Sequence, residues 1–567
     1  MWLWTRQKSP PVGHRPPKVL FDPASPGHPV PHKDGSLYSL ITVLVTRLAT
    51  RHELRALRFP NAGCWPMAQH HGSHSLEVGG VEFDDDGRAA RTGNLWTCFA
   101  HIITAVIGCG VLALSWSVAQ LGWVGGPVAM LCFAFVTYLS AFLLSHCYRS
   151  PGSDDGSLKR QRNYTYMDAV RTHLGEKRTW LCGLFQYLNM YGTAIAYTIT
   201  TATCLRYGTV PYVRTPLSSF DLLAMLDGNG DTRYYCRRAI VRANCYHSQG
   251  HSAPCGAGGD HLYMLLFGAA QAVLSLIPNF HSMAWLSAVA AVMSFTYATI
   301  GLGLGLAKTI ENGAIKGSVA GVPMSTAPQK VWRVAQAIGD IAFAYPYTIV
   351  LLEIQDTLKS PPPESETMQK GNVLAVLATT FFYLAVGCFG YAAFGNAAPG
   401  NLLTGFGFYE PYWLIDFANA CIVLHLLGGY QMFSQQIFTF ADRSLAARFP
   451  NSAFVNKSYA VKVPGAPASW SYSLNLQRLC FRTAYVASTT GLALLFPYFN
   501  EVLGVLGAVV FWPLAIYLPV EMYCVQRGVL PWTRTWVALQ AFSVVCFVVG
   551  TFAFVGSVEG VIRKRLG

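Results

Sequence analysis

The sequence predicts an all-α integral membrane protein with about eleven transmembrane helices. Three observations carry that expectation. Hydrophobic residues make up 52% of the 567 residues and charged residues only 12%, about half the ~25% usual in a soluble domain. Apolar stretches near the roughly twenty residues that a bilayer demands recur along the chain. Lys and Arg gather in the segments between those stretches, so the formal net charge of +13 reads as basic loops facing inward. No nucleic-acid partner is expected, because no face outside the spans interleaves aromatic and basic residues.

Residues 1–66 are rich in Pro, His and Arg, and their one apolar run, Leu37 to Leu48, is too short to span. Trp2, Trp4, Arg6 and Lys8 lead into no apolar core, so no signal peptide is expected. We read 1–66 as a disordered extension ahead of a natural start at Met67. Residues 67–95 are then a cytoplasmic tail, with an acidic stretch from Glu82 to Asp86. Span one is read as Trp96 to Gln120, span two as Trp123 to Tyr148 and span three as Trp180 to Leu205. Span four runs from His261 to Pro278 and turns at Pro278-Asn279 into span five, His281 to Lys308. Span six is Val331 to Asp356, span seven Val373 to Phe394, and span eight Tyr412 to Phe440. Spans nine, ten and eleven are Leu479 to Phe499, Val502 to Cys524 and Trp536 to Val555. The membrane domain is thus 96–557, with 558–567 left as a C-terminal tail.

The loop after span two carries Arg149, Lys159, Arg160, Arg162, Arg171, Lys177 and Arg178, whereas Gly395 to Pro411 has no Lys or Arg. That asymmetry puts the N-terminus inside. Eleven spans would leave the C-terminus outside, against which Arg563-Lys564-Arg565 stands. Ser360 to Lys370 (SPPPESETMQK) reads as an inside linker. Tyr207 to Arg238 is polar, and its DGNGD run lacks the twelve-residue spacing and closing glutamate of a calcium loop. The fifteen cysteines include no CxxC pair, and neither metal nor cofactor is expected. Cys245 and Cys255, in a loop placed outside, are expected to form a disulfide, two free thiols being the alternative.

Two spans are interrupted at mid-membrane. Span one contains Gly108-Cys109-Gly110, and glycine weakens a helix. Span six contains Gly339, Asp340 and Pro346, and proline removes a helical bond. Interrupted segments at corresponding places in two halves point to a transporter binding site. Unwound backbone at Ile107, Gly108, Cys109 and Gly110, and at Phe343, Ala344 and Tyr345, would offer carbonyls to an ammonium and N–H groups to a carboxylate, which suits an amino acid. His101 and His425 titrate near neutral pH and are candidates for proton coupling, a structural histidine being the alternative for each. Among carboxylates Asp340 is preferred over Glu353 and Asp416, because it adjoins the span-six break. Glu353 and Asp356 lie where gate ion pairs or interfacial solvation would each serve. No phosphate-binding GxxxxGKS sequence appears, which leaves ATP-driven pumping unsupported, and no catalytic constellation marks an enzyme.

Arg91 to Pro127, Leu286 to Gly305, Gly339 to Leu358 (GDIAFAYPYTIVLLEIQDTL) and Phe511 to Tyr523 (FWPLAIYLPVEMY) closely resemble the plant amino-acid permeases of the amino acid/auxin permease family. The resemblance implies a leucine-transporter-like fold, with spans one to five and six to ten as inverted repeats and spans one and six broken. It implies proton-coupled symport of amino acids into the cell at the plasma membrane, with amino acid and proton as co-substrates and no enzyme activity. Permeases for auxin, lysine and histidine, or proline and betaines are alternatives, as is a non-transporting sensor. His101 and His425 fall at histidines characteristic of these permeases, and Cys245 and Cys255 match their outside loop cysteines. Two departures stand out. Ala344-Tyr345-Pro346-Tyr347-Thr348 replaces the usual AYSYS, and Ser434-Gln435-Gln436 replaces AQP. The family also lacks Tyr207 to Arg238. Removing it joins TTATCLR to AIVRANCYH, so the segment is expected to derive from an unspliced intron.

Overall fold

The computed structural model describes residue 84 and residues 90–150, 162–207, 260–276, 284–406, 412–462 and 471–566. All belong to the unit formed by residues 59–567. The extension 1–66, the segment 208–238, and Cys245 with Cys255 lie outside the described residues.

Each of the eleven expected spans meets a helix or a pair of helices. Among the described residues seven helical stretches are long and apolar enough to cross a membrane, and Leu95–Val106 and His261–Ser275 are shorter apolar helices. Spans three and nine appear as the helices Glu176–Tyr207 and Leu476–Leu495. Span one opens at Asn94, whose side chain accepts from the N–H groups of Trp96 and Thr97 while Thr97 returns a bond to the Asn94 N–H, a reciprocal cap for otherwise orphaned donors. Spans one and two are joined through Gly122 at φ +80°. A side chain there would meet the Val319 carbonyl at 2.1 Å, so only glycine fits the corner.

Three spans run well beyond the sequence reading. Span seven begins at Glu364, inside the expected Pro-rich linker, because the helix takes over directly after Pro363 with acidic residues in its first turn. Span eleven runs from Arg534 to Leu566, which absorbs the expected tail at 558–566 into the helix. Span eight is one unbroken helix, Tyr412–Arg448, as the loss of proline from its inner half allows. Two elements were not foreseen. A β-hairpin pairs Ser458–Lys462 with Ser471–Asn475 between spans eight and nine. A π-helical stretch, Phe511–Tyr517, interrupts span ten around Pro513.

Packing sets the broken spans side by side. Span six lies against spans one, ten and eleven, span seven against spans one, two and five, and span eight against spans three and five. Gly93 bonds to the Thr357–Lys359 backbone at one end of the pair, and Ser117 approaches Asp340 toward the other. Spans one and six therefore cross in opposite directions. The first span of each group of five is broken at its middle, which is the arrangement of the leucine-transporter-like fold.

Candidate functional site

In span one the α-helix ends at Val106, Ile107 turns out of it, and Gly108 is extended at φ −116°, ψ −151°. Cys109–Ala113 form a 3₁₀ turn, and the α-helix resumes at Leu114. The fully unwound part is thus Ile107-Gly108, narrower than the expected Ile107 to Gly110. In span six the helix continues through Phe343 and Ala344 and breaks at Tyr345-Pro346-Tyr347, resuming at Thr348. The break sits later than expected because Pro346 lacks an N–H and its ring crowds the preceding turn.

The two breaks line one cavity of about 70 Å³, walled by Gly108, Cys109, Gly110, Phe343, Ala344 and Pro346. Asn189 and Thr193 of span three and Phe433 of span eight also line it. These three were missed in the sequence. Asn189 and Thr193 did leave a signal, being polar residues one turn apart on a single face. No charged side chain lines the cavity. Polar recognition falls to backbone, helix ends and uncharged side chains, Tyr197, Tyr347 and Thr348 among them. Two helix N-termini, at Cys109 and Thr348, and two C-termini, at Val106 and Ala344, bring partial charges of both signs to the walls.

The freed carbonyls are not vacant, contrary to the sequence reading. The Tyr383 hydroxyl lies 2.7 Å from the Val106 oxygen and 2.9 Å from that of Ala344, and so ties the two broken spans together. Ser294 Oγ donates to the Ile107 carbonyl at 2.8 Å, and Tyr297 lies 3.1 Å from the same oxygen and 3.0 Å from that of Gly108. Ile107 is outside the cavity lining, and its oxygen has both acceptor directions occupied. Tyr345 is also outside it, buried with its ring against Tyr383 at 4.9 Å. A buried orphan carbonyl is costly, and the neighbouring spans supply the hydroxyls that prevent one.

The three candidate proton sites are not gathered in the cavity. His101 is half-buried in the helix Leu95–Val106, before the break. Asp340 is fully buried, 3.5 Å from the Ser117 hydroxyl, four residues before the Ala344 wall. His425 is buried in span eight, its Nδ1 lying 3.1 Å from both Ser294 Oγ and the Ala290 carbonyl. Through Ser294 it is one residue removed from the span-one break.

At one end of the spans lies an ion-pair network. Arg91 bonds Asp84 and Asp356, each at 2.8 Å, and Tyr148 donates to Asp356 at 2.6 Å. Arg149 and Arg162 share Glu364 at 2.6 and 3.4 Å. The Tyr148 phenol supplies the hydrogen and the Asp356 carboxylate accepts it. Of the two sequence readings for Asp356, ion pairing is the one observed. At the opposite end lies a polar cavity of about 260 Å³, bordered by Trp116, Arg206, Asp260, Arg333, Glu501 and Lys564.

The family described as transmembrane amino acid transporter protein matches residues 91–225 and 238–563. Among known proteins, "Probable amino acid permease 7" of Arabidopsis thaliana is 51% identical over 483 residues, which cover 85% of this chain and 96% of that one. "Amino acid permease 2" of the same plant is 49% identical over 481 residues, 84% of this chain and 90% of its own. The solved structure of MhsT in complex with L-phenylalanine aligns with 83% of this chain and 100% of its own, at 10% identity and a TM-score of 0.45, too distant to assign anything here.

Proposed function

The chain belongs to the transmembrane amino acid transporter family, and from that premise we propose that it is a proton-coupled symporter carrying amino acids into the cell. Amino-acid transport itself follows from the family and its permease relatives. The observation that carries the finer reading is the uncharged cavity between two oppositely running broken helices. A zwitterion needs donors at one end and acceptors at the other. The N–H groups at the Cys109 and Thr348 helix starts face its carboxylate. The remaining lone pairs of the Val106, Gly108 and Ala344 carbonyls face its ammonium. Phe343 and Phe433 border its side chain, and Ile107 and Tyr345 support these walls from behind.

For the proton we propose His425, Asp340 and His101. His425 reaches the span-one break through Ser294, and Asp340 reaches span one through Ser117. Protonation of either changes a bond between a moving span and its neighbours, which is what coupling requires. The plasma membrane, with the N-terminal side in the cytoplasm, is the proposed location, supported by the basic loop after span two. The Arg91–Asp356 network then closes the cytoplasmic end.

Uptake of labelled amino acids into transport-deficient cells tests the reading. The expected result is faster uptake at acid than at alkaline external pH, abolished by an uncoupler. Uptake by surface-localised protein that ignores both pH and uncoupler overturns symport while leaving amino-acid transport standing.

A further inference from the structure

We propose that Ser294 is a positioning residue that links His425 to the break in span one, so that the proton load on the histidine is felt by the backbone shaping the cavity. The inference rests on the symport reading above, with His425 as a proton site.

Ser294 is fully buried in span five. Its hydroxyl contacts two groups on two other spans, the Ile107 carbonyl at 2.8 Å and His425 Nδ1 at 3.1 Å. A serine hydroxyl has one proton to give. The Ile107 oxygen can only accept, so that proton goes there. Nδ1 then faces two acceptors, Ser294 Oγ and the Ala290 carbonyl, each at 3.1 Å. It must therefore carry the hydrogen, an assignment made from the bonding network. The chain runs in one direction, from His425 Nδ1–H to Ser294 O–H to Ile107 C=O. Nε2 is left as the atom that gains or loses the transported proton.

Protonation at Nε2 turns Nδ1–H into a charge-assisted donor, which is shorter and stronger. It polarises the serine hydroxyl and tightens the bond to Ile107 in turn. Tyr297, three residues on and on the same helical face, holds the Ile107 and Gly108 carbonyls beside it. Span five thus presents two hydroxyls to the two residues that are unwound. Span one cannot shift against spans five and eight without carrying or breaking these bonds.

The groups facing His425 are the Ala290 carbonyl, Ser294 and the Tyr297 ring at 6.0 Å, all from span five. Cys421 stands one turn earlier on its own helix, and Cys109 of span one and Cys204 of span three join it around Tyr297. Thiols and phenols of this kind are uncharged near neutral pH. The histidine is the group of this cluster to which the proton is assigned.

The test uses the full chain in transport-deficient cells, with a labelled mixture of L-amino acids as probe. Initial rates are measured against external pH and normalised to surface protein by biotinylation. Ser294→Ala removes one of two acceptors from Nδ1–H, which weakens the protonated form. We expect its maximal rate to fall about tenfold, the worth of one buried hydrogen bond. We expect the pH midpoint of uptake to move acid-ward by about half a unit or more. Ser294→Thr keeps the hydroxyl and should keep the wild-type midpoint. Ser294→Ala combined with His425→Asn should be no slower than His425→Asn alone, because both cut one chain. A slower Ser294→Ala with the wild-type midpoint overturns the inference, as do losses that multiply in the double variant. If Ser294→Ala does not reach the surface, Ser294→Cys, a weak donor, is judged by the same midpoint. A wild-type rate independent of pH removes the symport reading and this inference with it. That outcome is distinct from a pH-dependent wild type whose midpoint Ser294 does not influence.

Discussion

Gly108 and Gly110 flank one cysteine in span one, yet the structure gives them different duties. A side chain at Gly108 would meet only the Tyr197 hydroxyl, at 3.6 Å, and its backbone is extended at negative φ. One at Gly110 would press on the Ala344 Cα and Cβ at 3.1 Å and on Phe343 at 3.4 Å. Gly108→Ala should therefore keep uptake within about twofold of wild type. Gly110→Val should force the two broken spans apart, at about 1–3 kcal/mol of overpacking, and cut surface-normalised uptake about tenfold or more. Equal effects from the two would show that close approach of the spans at Gly110 is irrelevant. That the glycines mark a break was legible in the sequence. Which of them touches span six was not, because contact across 230 residues depends on packing and leaves no local pattern. The same holds for Tyr383 and Tyr297. Each reads as an ordinary aromatic in an apolar span, and only the fold shows its hydroxyl aimed at a freed carbonyl.

Among the elements, the helix pair of span six is held at its far end by the Arg91, Asp84, Asp356 and Tyr148 cluster. The side chains of Arg91 and Asp356 are 6% and 7% exposed, so removing one charge takes a close counter-charge from the other in a buried setting. Such losses cost about 3–5 kcal/mol, enough to reverse a conformational preference of a few kcal/mol. Arg91→Ala should open this end. Cys109, which lines the cavity and is 1% exposed, should then react with a thiol reagent supplied from the cytoplasmic side, as read by mass spectrometry. Arg91→Lys, which keeps the positive charge beside Asp84 and Asp356, should retain protection. Unchanged protection of Cys109 in Arg91→Ala would mean that the network does not close the path. Element order and both interruptions were readable from hydropathy, glycine and proline. The late start of the span-six break and the π-helical stretch at Phe511–Tyr517 were not. Each is a local compromise between a proline and the particular neighbours that re-satisfy its freed backbone groups.

At the scale of the whole molecule, the closing basic residues had stood against an odd number of spans. The structure gives Lys564 among them a carboxylate partner. Lys564 lies 2.9 Å from Glu501 at the start of span ten, and Arg333 at the start of span six approaches the same carboxylate at 4.0 Å. The end of the last helix thus shares a face with the start of span six, whereas Arg91 shares a face with its finish. The two ends of the described chain lie on opposite faces. An epitope after Gly567 should bind antibody on intact cells, and one placed just before Arg91 only after permeabilisation. Access to both on intact cells would refute the eleven-span count. One further consequence concerns the carrier's idle journey. To accumulate its cargo, and not merely swap one molecule for another, a carrier must travel back unloaded. Backbone carbonyls that waited for cargo to bond them would make that journey costly by about 1–3 kcal/mol for each bare group. Here Tyr383, Tyr297 and Ser294 bond them from within the protein. On the proposed symport reading, a carrier whose freed carbonyls are bonded from within its own fold needs no cargo to satisfy them on the way back.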